Sequence, residues 1–152
     1  MRYGHSVRLA RTLFILAVTV AAFWTSGALA DGIEPGLWKI SSRIETNGAV
    51  SPSQESTKCF TYTQARDLVA TFSPAMRTIN SECAPLESSL EGDRLKWKLV
   101  CKGQLDMEVT GDYTFRDQRQ YAGIVRTRTA MGGRQMSDTV TMLFAERVSD
   151  CP

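Results

Sequence analysis

Histidine is almost missing from this chain of 152 residues: the single one is His5, close to the amino terminus. Beyond position 5 there is no imidazole for a Ser-His-Asp or Cys-His arrangement, or for a histidine-ligated zinc or iron site. Close cysteine pairs are missing too, since Cys59, Cys83, Cys101 and Cys151 are scattered singly and no CxxC occurs. That spacing argues against a zinc knuckle and against a dithiol redox motif. No apolar run is long enough to span a bilayer comfortably, which takes about 20 residues; the apolar run near the amino terminus is Leu13 to Trp24.

What is present at the amino terminus reads as an export signal. Arg2, Arg8 and Arg11 precede the apolar run, and Ala28-Leu29-Ala30 follows it with small residues at the cleavage positions. Residues 1–30 are expected to be a signal peptide cleaved after Ala30, and 31–152 a single periplasmic domain that meets the membrane only during export. No cysteine follows the cleavage point, and Arg8 and Arg11 are not adjacent, so neither lipidation nor a twin-arginine route is supported. The leader takes three arginines and no acid, which turns the precursor's formal +2 into −1. The basic character therefore belongs to the leader and gives no argument for nucleic acid. About 120 residues remain, enough for one domain with a thin core.

Four cysteines in a short exported chain read as two disulfides with three connectivities. The pairing depends on strand register. Period-two alternation starts at Gly36, with Trp38, Ile40 and Ile44 on one face and Lys39, Ser41 and Arg43 on the other. Asn47-Gly48 marks a turn, and Gln54 to Phe60 can form a second strand. Thr61-Tyr62-Thr63-Gln64 has capping-box form, followed at helical spacing by Ala65, Leu68, Val69 and Phe72 before Ser73-Pro74. Ala75 to Asn80 fits neither pattern.

The rest reads as a meander. A turn at Gly92-Asp93 sets Leu90 against Leu95 and Leu86 against Leu99; one at Lys102-Gly103-Gln104 sets Leu99 against Met107 and Lys98 against Glu108. The Asp117-Gln118-Arg119 loop places Phe115 beside Tyr121 and Tyr113 across from Gly123. Gly132-Gly133 then pairs Tyr121 with Phe144 and Val125 with Val140. The fold class is mainly β, at the margin of α+β: a curved or half-barrel antiparallel meander of about seven strands with one short helix. These registers put Ala84 opposite Cys101, so Cys83 points away from it. The preferred bridges are then Cys59–Cys83 and Cys101–Cys151.

The ordered landmarks resemble a family of small exported bacterial proteins known only as a domain of unknown function. They are Pro35-Gly36-Leu37-Trp38 near the mature start, Cys59 before a short helix, Cys83 and Cys101 in the middle, and the closing Asp150-Cys151-Pro152. Ser149 stands where that family usually has glycine, and Tyr62 where it commonly has proline. The resemblance spans the mature chain and implies a periplasmic, mostly β protein. It carries no activity, substrate or site.

The inward face of this meander gathers Trp97, Tyr113, Tyr121, Asp138 and Met142 as candidate ligand-contacting residues, with Asp138 opposite Thr127 at the mouth of an apolar concavity. Arg126 and Arg128 fall on the solvated face. No catalytic set, metal site or cofactor motif is specified. The function expected is a non-enzymatic module that takes an apolar or amphipathic small molecule or docks onto an envelope protein. The alternatives are a histidine-free carboxylate enzyme, which needs a second acid beside Asp138, and a thiol redox protein, which needs a free or strained cysteine.

Overall fold

The computed structural model describes residues 32–74 and 81–152. Residues 1–31, which include the expected signal peptide, and Ala75 to Asn80 lie outside them. The elements are β1 (Gly36–Thr46), β2 (Ala49–Val50), β3 (Gln54–Phe60), α1 (Tyr62–Arg66), α2 (Leu68–Phe72), β4 (Ser81–Cys83), β5 (Glu87–Glu91), β6 (Arg94–Gly103), β7 (Asp106–Asp117), β8 (Gln120–Met131) and β9 (Arg134–Ser149). The nine strands form one open antiparallel sheet. Its main path runs β2-β1-β9-β8-β7-β6-β4, with β3 paired to β1 and β5 to β6.

Local chemistry accounts for the elements. Asn47 and Gly48 both adopt positive φ, as a two-residue hairpin with right-handed twist requires, so β2 follows directly. Thr61 and Gln64 form the expected capping box, with the Gln64 amide donating to the Thr61 hydroxyl at 3.3 Å and the Thr61 amide donating to Gln64 Oε1 at 3.0 Å. The single expected helix is in fact two. Asp67 ends α1 and caps α2, its Oδ1 accepting from the Ala70 amide at 2.9 Å. That break turns Leu68 and Phe72 together onto the sheet, where both are buried.

The core lies between the two helices and one face of the sheet. Phe72 is its hub: its ring centroid stands 5.7 Å from Phe60, 5.1 Å from Tyr113, 5.3 Å from Phe115 and 4.9 Å from Tyr121. Trp38 is fully buried against Phe60 and Tyr121, and its indole N–H donates to the Glu34 carbonyl at 3.1 Å. Tyr113 lies over bare Gly123, as expected, and Trp97 lies over Gly111, where a Cβ would sit 2.2 Å from the indole. Each glycine makes room for a ring on the neighbouring strand.

Three registers differ from expectation. Between β6 and β7 the ladder is displaced by two residues, so Leu99 meets Val109 and Trp97 meets Gly111; an even displacement leaves every side chain on its expected face. The Lys98–Glu108 ion pair survives as a diagonal contact of 2.9 Å. Between β8 and β9, Met136 is an extra residue: Ala130 pairs with Gln135 but Thr129 with Ser137. This one-residue bulge inverts the rest of β9, so Tyr121 meets Ala145, and Val140, Met142 and Phe144 face away from the helices.

The third difference corrects the disulfides. The bridges are Cys59–Cys151 and Cys83–Cys101, not Cys59–Cys83 and Cys101–Cys151. Glu87 pairs with Lys98 as the turn dictates, but Cys83 pairs with Cys101, so three residues (Ala84, Pro85, Leu86) face two. Pro85 has no N–H for a ladder bond, and the slip beside it brings Cys83 onto the face of Cys101.

Candidate functional site

The five residues singled out on the sequence do not form one site. Trp97, Tyr113 and Tyr121 are 4, 6 and 3% exposed and packed in the core, the two tyrosines beside Phe72 and Trp97 over Gly111. Burial pushes the Tyr113 phenol up to about 12, and burial with Tyr113 nearby pushes Tyr121 higher still, so both stay protonated at any physiological pH. Met142 is on the opposite face and 38% exposed. Asp138 is on that opposite face as well, paired with Arg128 and not with Thr127. Its carboxylate contacts Arg126 Nε at 3.2 Å and Arg128 Nε at 3.5 Å. The bulge at Met136 moved both residues.

The face turned away from the helices, here the outer face, can be read row by row from the ladders. Lys98, Thr110, Arg126 and Val140 form one row across β6 to β9. Lys96, Asp112, Ile124 and Met142 form the next, and Arg94, Thr114, Ala122 and Phe144 the one beyond. Ile124 is 52% exposed and Phe144 38%, on the central strands of the sheet. A groove of about 810 Å³ runs over this face, its lining including Lys96, Lys98, Thr110, Ile124, Arg126 and Val140. Outer positions of an antiparallel sheet are normally polar. An apolar strip bordered by charge departs from that pattern.

The charges around the strip form pairs. Arg94 grips Asp112 with two parallel bonds, Nε to Oδ1 at 2.8 Å and Nη2 to Oδ2 at 2.6 Å. Glu108 accepts from Lys98 at 2.9 Å and lies 3.6 Å from Arg128. The Arg94 bond holds the Asp112 carboxyl below its usual range, and the Lys98 bond does the same for Glu108. A carboxylate with a depressed pKa stabilises the fold above its unfolded-state value, near 4, and that contribution disappears as the pH falls through the lower folded value. Urea midpoints of wild type and Asp112→Asn, measured from pH 7 down to pH 3, are expected to differ most at pH 7 and to converge towards pH 3. Because the pair is largely exposed, the difference at pH 7 is expected to be modest.

These acids are poised in the wrong direction for acid–base work at neutral pH, which needs a carboxyl pushed up. Among the described residues no group of three or more Cys, Asp and Glu side chains is arranged to hold a metal ion. There is no free cysteine, so no thiol stands ready for exchange.

The landmarks of the sequence, the nine-stranded sheet and the two bridges can now be set beside known proteins. A family profile described as protein of unknown function (DUF3617) matches residues 33–151. The chain belongs to the DUF3617 family. No curated protein and no solved structure matches it. The DUF3617 match begins at Ile33, which is buried with its amide donating to the Ala65 carbonyl, and ends at Cys151, half of the long-range bridge. The matched span is thus the folded, stapled unit. Its two disulfides suit an oxidising environment. No helix among the described residues is long and apolar enough to cross a membrane.

Of the five residues expected on the sequence, Trp97 alone borders the groove and Met142 stands in the row of Ile124, which was not among them. The available signal was Ile124 itself: in the run Tyr121 to Arg128 it shares a parity with Arg126 and Arg128, an apolar residue on a charged face.

Proposed function

We propose that this chain is a non-enzymatic binding module of the cell envelope that holds an amphipathic small molecule in the outer-face groove. One observation carries the reading: Ile124, Met142 and Phe144 stay exposed on the central strands although the same strands bury Tyr121 and Ala145 on the other side. A groove of about 810 Å³ is of the size small-molecule sites take, and apolar lining with a few polar groups is their usual chemistry. The aromatic inner face, filled by Phe72 and Phe60, offers its rings to the fold and not to a ligand. In the same reading residues 1–30 are a signal peptide removed after Ala30, and residues 31–152 act in the periplasm as one domain; the arginine-rich start, the apolar run and the two bridges support this.

Native mass spectrometry of the exported protein, purified from its own compartment, tests the reading. Expected are a polypeptide beginning at Asp31 and a copurifying small molecule that is lost from Ile124→Glu, whose circular dichroism should match wild type because position 124 is on the surface. A ligand that remains bound to Ile124→Glu would contradict the groove assignment. Wild type carrying a protein partner in its place would favour envelope docking.

A further inference from the structure

Resting on that groove reading, we infer that the ligand is an anionic amphiphile, with its head over Thr110 between Lys98 and Arg126 and its tail along Ile124, Met142 and Phe144. Lys98 and Arg126 flank Thr110 in one row, two strand spacings apart, or roughly 10 Å. Side chains of that length lean easily over the hydroxyl between them. Lys96 stands in the adjoining row and also lines the groove. Three cations therefore surround one hydroxyl, a donor set suited to a carboxylate or a phosphate.

Two acids share the groove. Asp112 is neutralised from outside it by the Arg94 fork, and Glu87 lies at the far edge, opposite Lys98 on β5. The acids that pair with Lys98 and Arg126 are Glu108 and Asp138, both one row further from the apolar strip. The cations are exposed, with side chains of Lys98 and Arg126 44 and 45% accessible, so an incoming anion can share them. On the other side of the row, apolar surface begins at once: Val140 beside Arg126, then Ile124 paired with Met142, then Phe144, over which Arg116 stands at 5.7 Å. Three cations around a hydroxyl at one end, and at the other exposed apolar side chains bordered by Arg43 and Arg116, define a head and a tail.

The test is a titration of the ¹⁵N-labelled, disulfide-intact 31–152 chain, below micelle concentrations, with dodecyl phosphate, dodecanoate, the uncharged octyl glucoside and inorganic phosphate. Expected are amide shifts at Lys98, Thr110, Arg126 and Ile124 with both dodecyl anions, and affinity at least tenfold weaker for octyl glucoside and for inorganic phosphate. Lys98→Gln with Arg126→Gln should weaken the dodecyl anions at least tenfold and leave octyl glucoside unchanged. Equal binding of charged and uncharged amphiphiles, or indifference of the anions to the double variant, would overturn the anionic head while leaving the groove in place. Inorganic phosphate binding as tightly as dodecyl phosphate would overturn the tail. If no amphiphile shifts the groove amides, the groove reading falls with the inference.

Discussion

Replacing Phe72 with alanine should lower stability by about 3–5 kcal/mol, the range for removing a large buried aromatic side chain. A domain of this size has only about 5–15 kcal/mol in all, so the variant should stand near the edge of unfolding. The ring contacts Phe60, Tyr113, Phe115 and Tyr121 at once, and it is the means by which two five-residue helices are attached to the sheet. Helices that short do not persist without tertiary packing. Chemical denaturation followed by near-ultraviolet circular dichroism reads the loss, and Phe72→Leu should cost clearly less because it keeps apolar volume at the hub. A Phe72→Ala midpoint close to wild type would mean that the helices do not close the inner face.

The second large effect concerns the bridges. Cys59 and Cys151 are separated by 92 residues and Cys83 and Cys101 by 18. If a disulfide acts mainly by restricting the unfolded chain, the first contributes about 4–5 kcal/mol and the second about 3 kcal/mol. Replacing Cys59 and Cys151 together with serine is therefore expected to lower the urea midpoint more than replacing Cys83 and Cys101. The position of the long bridge works in the same direction. Phe60, next to Cys59, is 2% exposed against Trp38 and Phe72, so a loosened edge strand β3 disturbs the core at its hub. The reverse order of midpoints would contradict the chain-restriction account. Mass mapping of non-reduced peptides should recover the 59–151 and 83–101 pairs.

How far the sequence could be read depended on what sets each register. Where a turn has its own chemistry, reading succeeded: the Thr61 capping box, the strand from Gln54 to Phe60, and Phe115 opposite Tyr121 all stand as the residues suggest. Where one extra residue enters a ladder, it failed. Met136 in β9 and the Ala84-Pro85-Leu86 segment each add a single position; the first reverses the facing of the rest of β9, the second that of Cys83 before it. The Met136 bulge carried Asp138 and Met142 to the outer face; the slip at Pro85 exchanged the disulfide partners. Neither position has a composition that announces a bulge, although Pro85 does forbid one ladder bond.

The candidate site suffered most from the Met136 bulge. The turns on the sequence point to a single inward aromatic face, yet β9 joins that face equally well in either parity. Its alternation is apolar on both sides: Val140, Met142 and Phe144 on one, Leu143 and Ala145 on the other. Burial then selects Ala145 for the crowded position beside Tyr121, and the larger side chains are left on the surface. That choice is what gives an otherwise ordinary solvated face its apolar strip.

The account rests on the inner face being closed and the outer face being the working surface. Photo-crosslinking in living cells tests this most directly, with p-benzoylphenylalanine at position 124 on the outer face and, separately, at position 143, which packs against the core on the inner face. The account predicts a specific adduct from position 124 and none from position 143. An adduct formed from position 143, with position 124 silent, would contradict it.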